Sequence, residues 1–188
     1  MVSLDQSLFR HINSLAGHSA WDSFFVFLTI IGYGGAIWAV LALVLLLGAR
    51  RQRDNGGARL RAAGAAMIVA LLLAWGTEST LKAVFARPRP PVALPHVTVL
   101  GYRPESYSFP SGHALSSFAA AGVMAAANRA DAWLPLTLAV LIGFSRIWVG
   151  HHYPLDVAAG TIMGLIIGWI TWHAMVRLLV PRRMRAPD

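Results

Sequence analysis

Long apolar runs fill the chain, and short polar clusters punctuate them. A hydrocarbon core of about 30 Å takes roughly 20 helical residues to cross. The runs at 60–84, 111–128, 132–149 and 155–179 therefore predict four membrane-spanning helices. Residues 20–49 are apolar too, but GYGG at 32–35 splits them into two halves, each near the lower length limit for a crossing. Two crossings joined at the glycines give six spans, and the alternative of one long tilted helix gives five. Within residues 3–16, Leu4, Leu8, Ile12 and Leu15 recur at helical spacing among polar positions, the pattern of an amphipathic helix lying on a membrane surface; a plain solvated cap is the alternative. The pattern predicts an all-α fold over one domain, residues 1–188: a polytopic membrane helical bundle of about six transmembrane helices, with residues 1–16 as an interfacial helix.

Composition removes the soluble classes. With 56% hydrophobic and only 13% charged residues, the 188-residue chain is far too apolar for an ordinary soluble domain, so its surroundings are a lipid bilayer. A net charge of +8 suits a nucleic-acid binder only as a solvated basic face. Here the arginines sit in short clusters between apolar runs, and no nucleic acid is expected as a partner. Arg50, Arg51, Arg53, Arg59 and Arg61 share one loop, and Arg177, Arg182, Arg183 and Arg185 gather near the C-terminus. The positive-inside rule puts both clusters in the cytoplasm and, with six spans, the N-terminus as well. The loop 85–110 and the turn 149–154 then share the external face of the cell (inner) membrane. That loop carries Arg87, Arg89 and Arg103 against the topological trend, which points to an anionic ligand. There is no cysteine, hence no disulfide framework or thiolate metal site. The first 21 residues lack a charged segment followed by an apolar one, so insertion is expected to rely on the internal spans.

Three clusters map to that external face. In KAVFARPRP, residues 82–90, Lys82 lies at the end of a span and Arg89 lies in the proline-stiffened stretch RPRPP just beyond it. Taken alone they are ordinary snorkelling cations, and taken together they are a clamp for an anion. Glu78, one turn before Lys82, suits a simple i,i+4 pair with it. In SFPSGH, residues 108–113, Ser111 or Ser108 suits an N-cap, Gly112 lets backbone approach closely, and the helix start offers amides to a phosphate. His113 in that first turn would stand beside the anion, able to give or take a proton, although a capped helix start is common in itself. In SRIWVGHHYPLD, residues 145–156, Arg146 ends one span, Pro154 starts the next, and Asp156 is placed to accept a histidine Nδ1 proton. Metal is the rival reading for seven histidines, but no HExxH, paired acidic ligands or Cys/His spacing accompanies them, so neither metal nor other cofactor is expected. His11, His18, His96 and His173 read as incidental. Cations, a helix N-terminus and two histidines on one face together fit phosphoryl transfer.

In order and spacing, Lys82 with Arg89 and Pro90, then Pro110 to His113, then Ser145 and Arg146 with His152 and Asp156 resemble the three signature motifs of the type 2 phosphatidic acid phosphatase (PAP2) superfamily. The resemblance spans residues 82–156 and implies a helical core shared with vanadium haloperoxidases, six transmembrane helices in membrane members, and metal-independent phosphoester hydrolysis at the external face. It implies His152 as the nucleophile that forms a phosphohistidine, Asp156 orienting it, and His113 as the general acid. It also implies that Lys82, Arg89, Arg146, Ser111 and the Gly112 amide bind the phosphoryl oxygens. Glu78 and His151 match no motif position, and replacement of His151 is expected to be far better tolerated than that of His152. RPRPPVALPHVTVL and YSFPSGHALSSFAAA are similar to the bacitracin-resistance-type undecaprenyl-diphosphate phosphatases, which makes undecaprenyl diphosphate the expected substrate. Phosphatidylglycerophosphate, phosphatidate and lipid A 1-phosphate phosphatases share the motifs and supply alternative substrates. A lipid phosphotransferase and a non-catalytic lipid-binding transporter are the other classes, and the transmembrane composition excludes a soluble haloperoxidase.

Overall fold

A computed structural model describes residues 3–18, 20–52 and 54–181. Arg53, Arg182, Arg183 and Arg185 of the two arginine clusters lie outside the described residues. The elements are α1 (Leu4–Asn13), α2 (Asp22–Ile31), a 3-10 turn (Tyr33–Gly35), α3 (Ala36–Arg50), α4 (Asn55–Phe85), α5 (Pro90–Ala93), α6 (Gly112–Ala127), α7 (Trp133–Trp148) and α8 (Pro154–Leu179), with no strand among the described residues. By length and composition Tyr33–Arg50, Gly56–Ala93 and Pro154–Leu179 are long and apolar enough to cross a membrane, and Asp22–Ile31, Gly112–Ala127 and Trp133–Trp148 are shorter apolar helices. Large apolar side chains such as Leu72, Trp75, Ile162 and Trp169 are exposed, as a lipid-facing surface requires.

Helix α6 is the centre of the bundle, walled by α4, α7 and α8. Its closest neighbour is α8, where Gly160, Gly164 and Gly168 recur every fourth residue and so line one side of the helix. A Cβ on Gly160 would sit 2.7 Å from the Ser111 carbonyl oxygen, and one on Gly164 or Gly168 would run into the carbonyl of Leu115 or Ala119. The two backbones therefore touch, the close approach small residues permit where lipid supplies no hydrophobic drive for association.

The GYGG stretch breaks the helix, since Gly34 and Gly35 both take positive φ, 58° and 75°. It does not join two crossings. Helix α2 packs on α7 and begins beside that helix's last residue, where Trp148 Nε1 donates to Asp22 Oδ1 at 2.8 Å. Helix α3 packs on α4 and ends beside that helix's first turns, where Arg61 donates to the Ala49 carbonyl at 3.2 Å. At 1.5 Å per residue these helices are about 15 Å and about 22 Å long, so they make one traverse only in series.

This arrangement bears on the number of spans and on the side of the N-terminus. Helix α1 lies at the end of the bundle where α7 stops and α8 starts: Asn13 Nδ2 donates to the carbonyls of Thr98 (2.8 Å) and Trp148 (3.0 Å), and Leu155 N–H donates to Asp5 Oδ1 at 2.9 Å. The far end of α8 belongs to the other extremity. There the Arg59 guanidinium lies 5.9 Å from the Trp172 ring and donates to the Ala127 carbonyl at the end of α6. The first and last helices thus sit at opposite ends of the bundle, and α2 and α3 follow one another in series along its length, the packing that suits the five-span alternative. The face of α1 that docks is Asp5, Phe9 and Asn13, whereas Leu4, Leu8 and Leu15 remain exposed.

Candidate active site

The end of the bundle that carries α1 also gathers all three motif clusters. Arg89 caps the short helix α5 and is 4% exposed. Its Nε donates to the Ser106 carbonyl at 2.6 Å, Nη2 to Ser106 Oγ at 3.0 Å, and Nη1 to the His151 carbonyl at 2.8 Å and to His152 Nε2 at 3.0 Å. A guanidinium only donates, so Nε2 of His152 accepts, and the ring proton of a neutral imidazole stands on Nδ1. That nitrogen lies 3.6 Å from Asp156 Oδ2, just beyond hydrogen-bond length. Burial first, then the charges of Arg89 and Arg146, push the His152 pKa well below 6.5, which keeps the ring neutral with its Nε2 lone pair held by Arg89.

Asp156 is fully buried, and the residues around it hold it firmly. Oδ2 accepts from the Tyr153 amide at 2.9 Å, the backward reach of a first-turn carboxylate to its helix cap, and from the Ser108 hydroxyl. Oδ1 takes an ion pair from Arg87 Nη1 at 2.6 Å. The Asp156 carbonyl accepts from the Ser111 amide at 3.0 Å, which ties the start of α6 to the first turn of α8.

Ser111 precedes the first turn of α6 in extended conformation, its hydroxyl buried and without a hydrogen-bond partner. His113 Nε2 donates to the Thr29 carbonyl at 3.1 Å, so Nδ1 is the nitrogen free to exchange a proton in the site. Arg146 is 1% exposed; Nη2 donates to His151 Nδ1 at 2.5 Å, while Nε and Nη1 are buried without partners. Lys82 Nζ contacts Glu78 Oε1 at 2.6 Å and Ser106 Oγ at 3.3 Å.

Around these groups lies a cavity of about 440 Å³, and Lys82, Arg89, Gly112, His113, Arg146 and His152 are all in its wall. Ser111 and Asp156 stand behind that wall. A larger recess of about 920 Å³ between α6, α7 and α8 is mainly apolar and lies toward the other end, away from the motif residues. Unpartnered donors on Arg146 and Ser111 beside a cationic cavity call for an anion with several oxygens.

Several participants were not visible in the motifs. Glu78 lies in the cavity wall against Gly112, where any Cβ would strike its carboxylate. Ser106 holds Arg89 and contacts Lys82. Tyr33 and Gly34, from the break between α2 and α3, line the cavity as well. His151, expected from spacing to be the better tolerated of the two histidines, lies outside the cavity wall but is tied to a residue in it. It is fully buried, accepts from Arg146, and packs against the Tyr102 ring with centroids 5.2 Å apart. Burial, with Arg146 and Arg89 nearby, lowers its pKa to about 3. Its ring was missed because the turn, and not a motif spacing, brings it onto Arg146.

The sequence model of the PAP2 superfamily matches residues 63–179. The chain is similar to undecaprenyl-diphosphatase BcrC of Bacillus subtilis, 32% identical over 171 residues that cover 89% of this chain and 82% of that one. Among solved structures, Aquifex aeolicus LpxE superposes with a TM-score of 0.71 at 28% identity, over 91% of this chain and 96% of that chain. A transmembrane PAP2-type phosphatidylglycerolphosphate phosphatase from Bacillus subtilis shares the fold, with a TM-score of 0.73 at 20% identity over 94% of this chain and 88% of that chain.

Proposed function

The chain belongs to the PAP2 superfamily and is a membrane lipid phosphatase, and we propose that it hydrolyses undecaprenyl diphosphate to undecaprenyl phosphate through a phosphohistidine on His152, at the external membrane face. The observation that carries this reading is the cationic cavity whose wall holds both His152 and His113, backed by buried, unpartnered donors on Arg146 and Ser111. The undecaprenyl-diphosphatase among its relatives supports the substrate. Leu71 and Trp75 give the same cavity an apolar side on α4, suited to the chain of a lipid.

In the proposed reaction, Lys82, Arg89 and Arg146 neutralise the terminal phosphoryl oxygens, and Ser111 with the Gly112 amide donates to them. Once the bound phosphoryl oxygens draw Arg89 Nη1 off Nε2, His152 Nε2 attacks phosphorus as the bond to the bridging oxygen breaks, and His113, entering the step as the imidazolium with its second proton on Nδ1, gives that proton to the oxygen as it leaves on undecaprenyl phosphate. His113 then takes a proton from water attacking the N–P bond, inorganic phosphate departs, and His152 returns to its neutral form. Asp156 keeps the Nδ1 proton of His152 directed away from the phosphorus.

Purified protein is expected to release phosphate from undecaprenyl diphosphate with EDTA present, and His152→Ala is expected to abolish release. Activity lost to EDTA but retained by His152→Ala would overturn the mechanism. A higher kcat/KM on phosphatidylglycerophosphate would move the substrate assignment to that lipid.

A further inference from the structure

Helix α1 reaches into the buried end of the site through one carboxylate. Asp5 is 8% exposed and uses both oxygens: Oδ1 accepts from the Leu155 amide at 2.9 Å, and Oδ2 pairs with Arg87 Nη2 at 2.6 Å. The other arm of the same guanidinium, Nη1, pairs with Asp156 Oδ1 at 2.6 Å. Arg87 is therefore shared between two carboxylates, one on the N-terminal helix and one 3.6 Å from His152. Its guanidinium also lies 4.1 Å from the Tyr153 ring, which packs edge-on against Phe9 of α1 at 5.5 Å between centroids. Neither Asp5 nor Arg87 lines the cavity.

We propose that Asp5 and Arg87 are positioning residues for the reaction. Asp5 fixes the Arg87 guanidinium, Arg87 fixes Asp156, and Asp156 sets the ring orientation and tautomer of His152. Two features separate this from a simple fastening of α1. The network ends on the carboxylate beside the nucleophile, and the second carboxylate shares the Arg87 cation, so that Asp156 is not its sole counter-charge. Replacing Asp5 frees Arg87 to shift and disturbs Asp156 without touching a phosphate contact, so the effect belongs to kcat and not to KM.

The inference rests on the phosphohistidine reading above, and a double-mutant cycle on the full chain in detergent tests it separately. The cycle reads kcat and KM for undecaprenyl diphosphate in wild type, Asp5→Asn, Arg87→Gln and the double variant. Asp5→Asn is expected to lower kcat about tenfold with KM held within about twofold, the scale of coupling inside one hydrogen-bond network. In the Arg87→Gln background, Asp5→Asn is expected to cost less than about twofold, because its route to Asp156 is already cut. Asp5→Glu, which keeps the charge, is expected to retain more kcat than Asp5→Asn, and it takes the place of Asp5→Asn in the cycle should the latter not fold. Independent, multiplying losses, a change confined to KM, or an unchanged kcat overturns the proposal. An active His152→Ala would instead overturn the underlying reaction and leave the cycle readable.

Discussion

The two adjacent histidines differ in what their rings meet, and motif spacing exposes only half of that difference. Spacing from Arg146 and to Asp156 selects His152, and the structure places that residue in the cavity wall. What spacing cannot show is that the amides of both histidines donate to the Arg146 carbonyl, at 3.0 and 3.1 Å. The turn, with Gly150 at φ 81°, folds back over Arg146 and lays the His151 ring against its guanidinium. Loss of a hydrogen bond to a buried charge costs about 1.5–3 kcal/mol, so His151→Ala is expected to lower kcat/KM roughly ten- to a hundredfold. His151→Asn, which keeps an acceptor near the Nδ1 position, is expected to retain more activity; wild-type kcat/KM in His151→Ala would refute this role. Titration follows from the same environment. A histidine with its folded pKa depressed binds no proton while the unfolded chain already does, so stability falls as pH drops below about 6.5 and continues to fall toward about 3 for His151. Nitrogen-15 NMR of histidine-labelled protein is expected to show both rings neutral at pH 6.5, and a half-protonated ring at that pH would contradict the burial and cation argument.

At the level of elements, hydropathy identifies α4, α6, α7 and α8 as helices within a few residues of their ends, because a helix within the hydrocarbon layer must be apolar over its length whether it faces lipid or other helices. Hydropathy is silent on which helix touches which. The signal for that is the four-residue glycine step at 160, 164 and 168, which puts the backbone of α8 against that of α6 and holds the Ser111–His113 turn against the first turn of α8. Gly164→Leu must push the two helices apart, and overpacking of this kind costs about 1–3 kcal/mol or more. It is expected to lower the melting temperature in detergent and abolish phosphate release. Gly76→Leu on α4 is the control: a Cβ there meets nothing within 4 Å, so both properties are expected to stay near wild type. Equal damage from the two substitutions would show that the α6–α8 contact carries no special weight. The amphipathic spacing of α1 was legible in the same way, but the docked face was not. Asp5 and Asn13 read as solvated polar positions until their partners, Arg87, Leu155, Thr98 and Trp148, are known.

For the whole molecule, arginine counts place the site face and the basic loop on opposite sides, and the bundle keeps Arg50, Arg51, Arg59 and Arg61 away from the cavity. The number of crossings could not be read from charge or hydropathy, because a glycine break between two short apolar helices fits either a turn or a kink. Packing decides it. A 10-residue helix such as α2 reaches about 15 Å, half of the hydrocarbon thickness, and it continues through the break into α3 toward the arginine end. With one traverse there, α1 stands on the side of the cationic cavity, which is also what allows Asp5 to reach Arg87. The native chain has no cysteine, so single cysteines report sidedness without background. In intact cells a membrane-impermeant maleimide is expected to label Ser14→Cys, exposed just after α1, and to label Gln52→Cys, exposed between α3 and α4, only after permeabilisation. Six crossings would place both positions inside and protect both. Protection of Ser14→Cys in active protein would therefore undo the five-traverse arrangement, whereas its labelling ties the N-terminal helix and the phosphatase site to one face of the membrane.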